Sequence, residues 1–299
     1  MLIAVDWGTS ACRAALIDAS GTVQKRAASD AGIMQIAPGD FSKTLTALTS
    51  SWQPSGKPYP VLLSGMVGSK QGWREALYVP TPANAANLAA NLLSVSDGCW
   101  IVPGVMTRDA QGIPDVMRGE ETQLVGAGLM DGWAVLPGTH SKWVELRGGA
   151  IVGFRTLMTG EVFAALKDHT ILGRLMVPKE HAEVSNAAFN RGFDYGYASA
   201  ENLSGALLSK LFSVRSLALF GELAPPEIAD YLSGLLLGSE CAEMRRRVPL
   251  GTSLTLIGSA ALTARYAHAC ACAGWQTTQA APDAAVHGAY TIARAAGLL

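Results

Sequence analysis

Apolar positions at the start of the chain fall in short runs separated by turn residues, the spacing of strands rather than helices. Residues 2–5 form an apolar run that ends at Asp6. Gly8, Thr9 and Ser10 supply a turn, and residues 13–18 resume as a strand. Asp18-Ala19-Ser20-Gly21 has turn chemistry, and residues 22–27 read as a third strand, which predicts an antiparallel meander. Further on, residues 61–64 read as a strand followed by Gly65 and Gly68. Helical spacing covers 84–93, a strand 100–102, and a helix 120–130 with Leu124, Val125 and Leu129 on one side. After Gly160 helical spacing dominates, over 162–176, 202–220 and 229–246. Residues 254–257 read as a buried strand meeting Gly258-Ser259, then a helix to about 270, and the alanine-rich stretch 284–296 predicts a last helix.

The strand pattern repeats. Ala134-Val135-Leu136-Pro137-Gly138-Thr139 lies without a gap over Ala4-Val5-Asp6-Trp7-Gly8-Thr9. Leu16 then meets Leu146, and after a one-residue gap Val23 meets Val152 and Arg26 meets Arg155. Internal similarity of this kind predicts two like halves, each with a Gly-Thr hairpin at the same point. The expected domains are 1–131 and 132–299, with the last helix a candidate to pack back on the first.

Composition narrows the class. A chain of 299 residues suits two domains of roughly 100–200 residues each. With 49% hydrophobic and 16% charged residues it can bury a large core, which excludes disorder. A net charge of −1 gives no basic balance that would make nucleic acid the expected partner. The five cysteines show no zinc spacing, and Cys270 and Cys272 are too close for a relaxed disulfide, so reduced thiols and a cytoplasmic location are expected. Met-Leu-Ile-Ala-Val-Asp carries no basic leader and runs straight into a strand. No uninterrupted apolar run reaches about 18 residues, so no membrane span is expected. A homodimer is compatible with the sequence but not specified by it.

Three segments carry candidate chemistry. In Asp6-Trp7-Gly8-Thr9-Ser10, small turn residues let backbone N–H groups and two hydroxyls approach phosphate oxygens, and Asp6 is placed to hold a hydrated Mg²⁺. Gly138-Thr139 repeats that turn, and two such hairpins can clamp one polyphosphate between two domains. Gly258-Ser259, between strand and helix, offers backbone against which a base and ribose can lie.

In that order the three segments resemble the phosphate-1, phosphate-2 and adenosine motifs of the actin-like ASKHA superfamily. The fold implied is α/β, two ribonuclease-H-like ASKHA domains with a nucleotide cleft between them. The whole chain is more specifically similar to the 2-dehydro-3-deoxygalactonokinase family. The stretches that carry this are Val5 through Ser10 and Gly65-Met66-Val67-Gly68-Ser69-Lys70-Gln71-Gly72-Trp73. Pro114-Asp115-Val116-Met117-Arg118-Gly119-Glu120-Glu121-Thr122-Gln123 and Leu136-Pro137-Gly138-Thr139-His140-Ser141-Lys142-Trp143 follow. Met158-Thr159-Gly160-Glu161 and His169-Thr170-Ile171-Leu172-Gly173-Arg174 complete the set. Leu136 stands where many superfamily members have Asp, and Ser259 where many have a second Gly.

The resemblance implies transfer of the ATP γ-phosphoryl group to the 6-hydroxyl of 2-dehydro-3-deoxy-D-galactonate, with ATP and Mg²⁺ as cofactors and a small sugar acid as the partner. Such a transfer needs positioning, charge neutralisation and a base. Asp115, Glu120 and Glu121 are the candidate bases, with Asp6 beside the phosphates. Adjacent glutamates on a helix cannot both face one site, and Glu120 is preferred. For the substrate carboxylate Lys70, beside Ser69, is the first choice, with Arg118 and Arg74 as alternatives, and Trp73 is a candidate either to pack on the carbon chain or to join the core. His140 and Lys142 are placed to add charge at the second turn. The other histidines, His169, His181, His268 and His287, have no metal-ligand spacing. Two rivals use the same fold: a phosphohydrolase of exopolyphosphatase type, with water as nucleophile, and a non-enzymatic sugar-binding protein.

Overall fold

A computed structural model describes residues 1–177, 186–198 and 207–299. His181 and residues 202–206 of an expected helix lie outside them. Two compact units emerge. The first comprises 1–132, 144–154 and 280–299, and the second 133–143 and 155–279.

The first unit opens with β1 (Leu2–Trp7), β2 (Cys12–Ile17) and β3 (Val23–Ser29), then α1 (Phe41–Thr49) and β4 (Val61–Ser64). β5 (Tyr78–Pro80), α2 (Ala85–Ala90), β6 (Leu93–Ser96), β7 (Cys99–Ile101), β8 (Gly104–Arg108), β9 (Pro114–Met117) and α3 (Glu120–Ala127) follow. Six strands form one sheet in the order β3-β2-β1-β4-β7-β6. β1 pairs antiparallel with β2 and parallel with β4, so the meander leads and a crossover strand closes on its far side. Alternation sorts β1: Ile3, Val5 and Trp7 enter a core with Phe41 and Leu45 of α1, while Ala4 and Asp6 face the other way. A small sheet, β5-β8-β9, runs into α3.

Then come β10 (Gly132–Leu136), β11 (Ser141–Arg147), β12 (Ala150–Leu157), α4 (Thr159–His169), α5 (Asn186–Tyr197), α6 (Leu207–Leu211), α7 (Ser213–Leu219), α8 (Ile228–Met244), β13 (Ser253–Leu256), α9 (Ala260–Cys272) and β14 (Gln276–Gln279). The chain ends in α10 (Ala284–Ala295). The second large sheet has the order β12-β11-β10-β13-β14. Strand for strand this matches β3-β2-β1-β4-β7, and β10 pairs parallel with β13 as β1 does with β4. The repeated hairpin in the sequence therefore marks a repeated sheet.

Within the first unit α10 packs on α3. A Cβ on Gly126 would lie 1.8 Å from the Ala284 carbonyl oxygen, and one on Gly288 equally close to that of Thr122, so the two backbones are in contact. α5, not expected from its polar composition, packs on α8 through Gly192 and Gly196 in the same way.

Several bounds differ from expectation for local reasons. The helix expected over 84–93 ends at Ala90, and Leu93 already belongs to β6. α3 stops at Ala127 because Gly128 turns left-handed, with φ 66°. α4 begins at Thr159 and ends before Thr170, whose hydroxyl turns back to the Leu166 carbonyl at 2.5 Å. The described part of 202–220 is two short helices, and α1 had no reading in the sequence.

Candidate active site

β1 delivers its last residues into a tight turn. The Trp7 indole N–H donates to the Ala31 carbonyl at 2.9 Å, and the Gly8 N–H donates to the Ala11 carbonyl at 2.9 Å. Thr9 and Ser10 stand exposed. Behind them passes Gly32. A Cβ there would fall 2.2 Å from the Thr9 carbonyl oxygen, so only glycine lets this backbone lie so near. The next residue, Ile33, donates its N–H to the Gly8 carbonyl at 3.0 Å.

Asp6 lies one residue before Trp7, between Arg13 on β2 and Ser64 on β4. Its side chain keeps 31% of its exposure, and Arg13 Nη1 is 4.0 Å away. Burial pushes the Asp6 carboxyl above the ordinary range, Arg13 pulls it down, and the charge of Glu120 pushes it up again. Asp6 and Glu120 are therefore close enough for one charge to act on the other. Gly65 and Gly119 allow it: a Cβ on Gly65 would sit 3.3 Å from Asp6 Oδ1, and one on Gly119 would sit 3.2 Å from the Gly65 Cα.

The two glutamates separate sharply. Glu120 is half-buried, and its Oε2 accepts from the Arg118 N–H at 3.0 Å. Glu121 is 0% exposed. Its Oε2 accepts from the Gly119 N–H at 2.6 Å and its Oε1 from the Thr122 hydroxyl at 3.0 Å. Burial, then repulsion from Glu120, pushes Glu121 up to about 8. A side chain so enclosed braces the start of α3, which counts against Glu121 as the base. Asp115 is half-buried in the middle of β9, opposite Thr107.

The expected substrate residues do not behave alike. Lys70 is exposed in the loop after β4. Arg118 is 9% exposed and lies 4.3 Å over the Tyr78 ring, with Nη2 donating to the Ala76 carbonyl at 2.6 Å. Its Nε and Nη1, and the Ser69 Oγ, are buried with no hydrogen-bond partner among the described residues. Trp73 is half-buried: one face of its ring stacks on Phe41 at 6.2 Å, against the core that holds the Trp7–Phe41 pair. Arg74 is spent on the Ser94 carbonyl at 3.2 Å.

A cavity of about 350 Å³ adjoins Asp6, Arg13 and Ser64. Its walls are alanines of β1, β2, β3 and α10, and the Arg26–Asp283 ion pair, 2.7 Å long, stands at its edge. Alanine carries little signal in a sequence, which hid the cavity. Arg13 was missed because an exposed strand arginine looks like any other; its register opposite Asp6 was the available clue.

In the second unit β10 ends at Leu136, and Pro137 is buried before half-buried Gly138 and exposed Thr139 and His140. Gly160 passes behind this turn. A Cβ there would fall 2.4 Å from the Gly138 carbonyl oxygen. The Glu161 N–H donates to the Thr139 carbonyl at 2.9 Å, and its carboxylate meets His140 Nε2 at 2.5 Å. Lys142, expected to add charge at the turn, is instead 4% exposed on β11. Gly258 follows β13, where a Cβ would meet the Pro137 carbonyl oxygen at 3.6 Å, an ordinary contact. Exposed Ser259 precedes α9 as its N-cap residue and makes no side-chain cap bond.

The family model for 2-keto-3-deoxy-galactonokinase (DGOK) matches residues 6–292. The chain belongs to this family. Within it, the chain is 37% identical over 296 residues to the 2-dehydro-3-deoxygalactonokinase of Escherichia coli K12, covering 98% of this chain and 97% of that one. The fold superposes at a TM-score of 0.87, with 36% identity and 99% of each chain covered, on a Sinorhizobium meliloti crystal structure assigned as a 2-dehydro-3-deoxygalactonokinase. A more distant likeness concerns the fold alone: TM-score 0.51 at 12% identity, over 98% of this chain and 95% of that one, to the Clostridium difficile activator of 2-hydroxyisocaproyl-CoA dehydratase, solved with bound ADPNP. The architecture is thus the α/β, two-domain actin-like class. Among the described residues no helix is long and apolar enough to cross a membrane.

Proposed function

We propose that this member of the galactonokinase family transfers the γ-phosphoryl group of ATP to the 6-hydroxyl of 2-dehydro-3-deoxy-D-galactonate. The observation that carries the reading is the convergence of Asp6 and Glu120 beside an exposed Thr9-Ser10 turn, in a chain that matches the family over nearly its whole length. Gly8, Thr9 and Ser10 of the first unit and Gly138, Thr139 and His140 of the second are the proposed phosphate contacts, through backbone N–H groups and hydroxyls. Gly258 and Ser259 are the proposed contacts for the adenosine. Glu120 takes the proton of the attacking hydroxyl as its oxygen bonds to the γ-phosphorus and the bond to ADP breaks.

Asp6 is the proposed group for Mg²⁺. The donor set fits: a carboxylate already raised by burial and by a neighbouring carboxylate gains from a nearby hard cation. Mg²⁺ would neutralise charge on the phosphates. The substrate carboxylate is assigned to Arg118 and Ser69, whose buried donors lack an acceptor, with exposed Lys70 adding charge. The reaction belongs to sugar-acid catabolism in the cytoplasm.

An ATP-dependent phosphorylation assay with the galactonate acid, its gluconate epimer and simple hexoses tests the reading. Acceptor-dependent ADP release with a phosphorylated acid as product is expected. ADP release that ignores the acceptor would point to a phosphohydrolase, and no turnover would leave a binding protein.

A further inference from the structure

α8 is buried along most of its length, and one of its buried residues is a carboxylate. Glu240 is 2% exposed, and four side-chain donors converge on it. Ser141 Oγ donates to Oε1 at 2.9 Å and Trp143 Nε1 at 2.7 Å. Tyr266 OH donates to Oε2 at 3.1 Å, and Thr159 Oγ1 donates to the same oxygen. All four partners are neutral. Burial pushes the carboxyl up, and the four hydrogen bonds pull it back. A core needs no such arrangement, since apolar residues fill space without the cost of removing a carboxylate from water.

The donors show where the arrangement leads. Ser141 directly follows His140, the last residue of the second turn. Thr159 directly precedes Gly160, whose Cα lies against the Gly138 carbonyl and whose successor bonds the Thr139 carbonyl. One carboxylate thus ties the strand leaving the turn to the segment that backs it. We propose that Glu240 is the positioning residue of the second turn, fixing Ser141 and Thr159 so that the backbone of Gly138, Thr139 and His140 is held ready for nucleotide phosphate. This rests on the reading that the turn binds those phosphates. Preorganised donors bind better than donors that must first be ordered.

Two variants separate positioning from plain core packing. Thr159→Val and Tyr266→Phe each delete one hydroxyl donor to the same Glu240 oxygen, and only Thr159 adjoins the backing of the turn. Calorimetry with a non-hydrolysable ATP analogue, beside thermal melts, reads both. Thr159→Val is expected to weaken analogue binding about 10-fold. Tyr266→Phe is expected to lower Tm comparably while changing Kd less than about 2-fold. Equal affinity losses in the two, or unaltered binding by Thr159→Val, would overturn the assignment. Failure of the unaltered protein to bind the analogue would instead remove the phosphate reading, and the assignment with it.

Discussion

In the turns after β1 and after β10 the same order recurs: a buried residue, a half-buried glycine and two exposed polar residues, in Trp7-Gly8-Thr9-Ser10 and in Pro137-Gly138-Thr139-His140. A glycine three residues past the third strand of each meander, Gly32 or Gly160, lies against each turn from behind. The chemistry around the two is unlike. Beside the first stand Asp6, Glu120 and Arg13. In the second Asp6 is replaced by buried Leu136, and the carboxylate nearby, Glu240, is enclosed and bonded on both oxygens. The same backbone arrangement recurs in both halves, and on the proposed reading both turns take phosphate. On that reading the base and the Mg²⁺ carboxylate stand at the first turn, while at the second Glu161 pairs with His140 and Glu240 braces the backbone from within.

The sharpest way to break this contrast is Glu120→Gln, which keeps shape and removes the proposed base. Phosphoryl transfer should fall roughly 10²- to 10⁴-fold in kcat, with KM for ATP little changed. Glu121→Gln should leave kcat within a few-fold, since Glu121 is sealed from solvent. Steady-state kinetics on the pair checks both statements.

Glycine substitutions address what the two turns share. Gly32→Ala and Gly160→Ala each force a Cβ into a carbonyl oxygen, at 2.2 and 2.4 Å. Each should raise KM for ATP by about 10-fold and destabilise by roughly 1–3 kcal/mol, read by kinetics and melts. A normal KM in one variant alone would show that its turn does not grip nucleotide.

pH gives the next effect. Glu121 titrates near 8 in the folded protein against 4.5 in the unfolded chain. Between those values the folded state holds a proton that the unfolded state has released. The contribution of Glu121 to stability is therefore full below about 4.5 and is lost as pH rises toward 8, by up to roughly 1.4 kcal/mol per unit. Glu121→Gln should flatten the decline of Tm between pH 5 and 8. The smallest change is expected from Glu161→Gln. The His140–Glu161 pair is exposed, with side chains 46% and 50% accessible, so KM for ATP should move less than about 3-fold.

Much of this was legible in the sequence because local chemistry wrote it there. Strand runs ending in Gly-Thr turns gave both hairpins, and their alignment anticipated the matching strand order of the two sheets. Helix geometry showed that Glu120 and Glu121 cannot both face one site, and the burial of Glu121 then separated them. Other features depend on contacts distant in sequence. Glu240 lies 99 residues from Ser141 and 81 from Thr159, and nothing in the composition of α8 marks it. That one face of Trp73 rests on Phe41 was hidden, because α1 had no reading in the sequence, although Phe41, Leu45 and Leu48 have helical spacing. Gly32 and Gly160 were ordinary loop or helix-start glycines until the turns they back were in view.

The division of labour between the turns is tested most directly by measuring kcat and KM for ATP side by side in Glu120→Gln and Gly160→Ala, with saturating sugar acid. Loss of kcat at near-normal KM in the first, and raised KM with most of kcat retained in the second, is the predicted pair of results. Unchanged kcat in Glu120→Gln would contradict it, because the proton of the 6-hydroxyl would then have another destination.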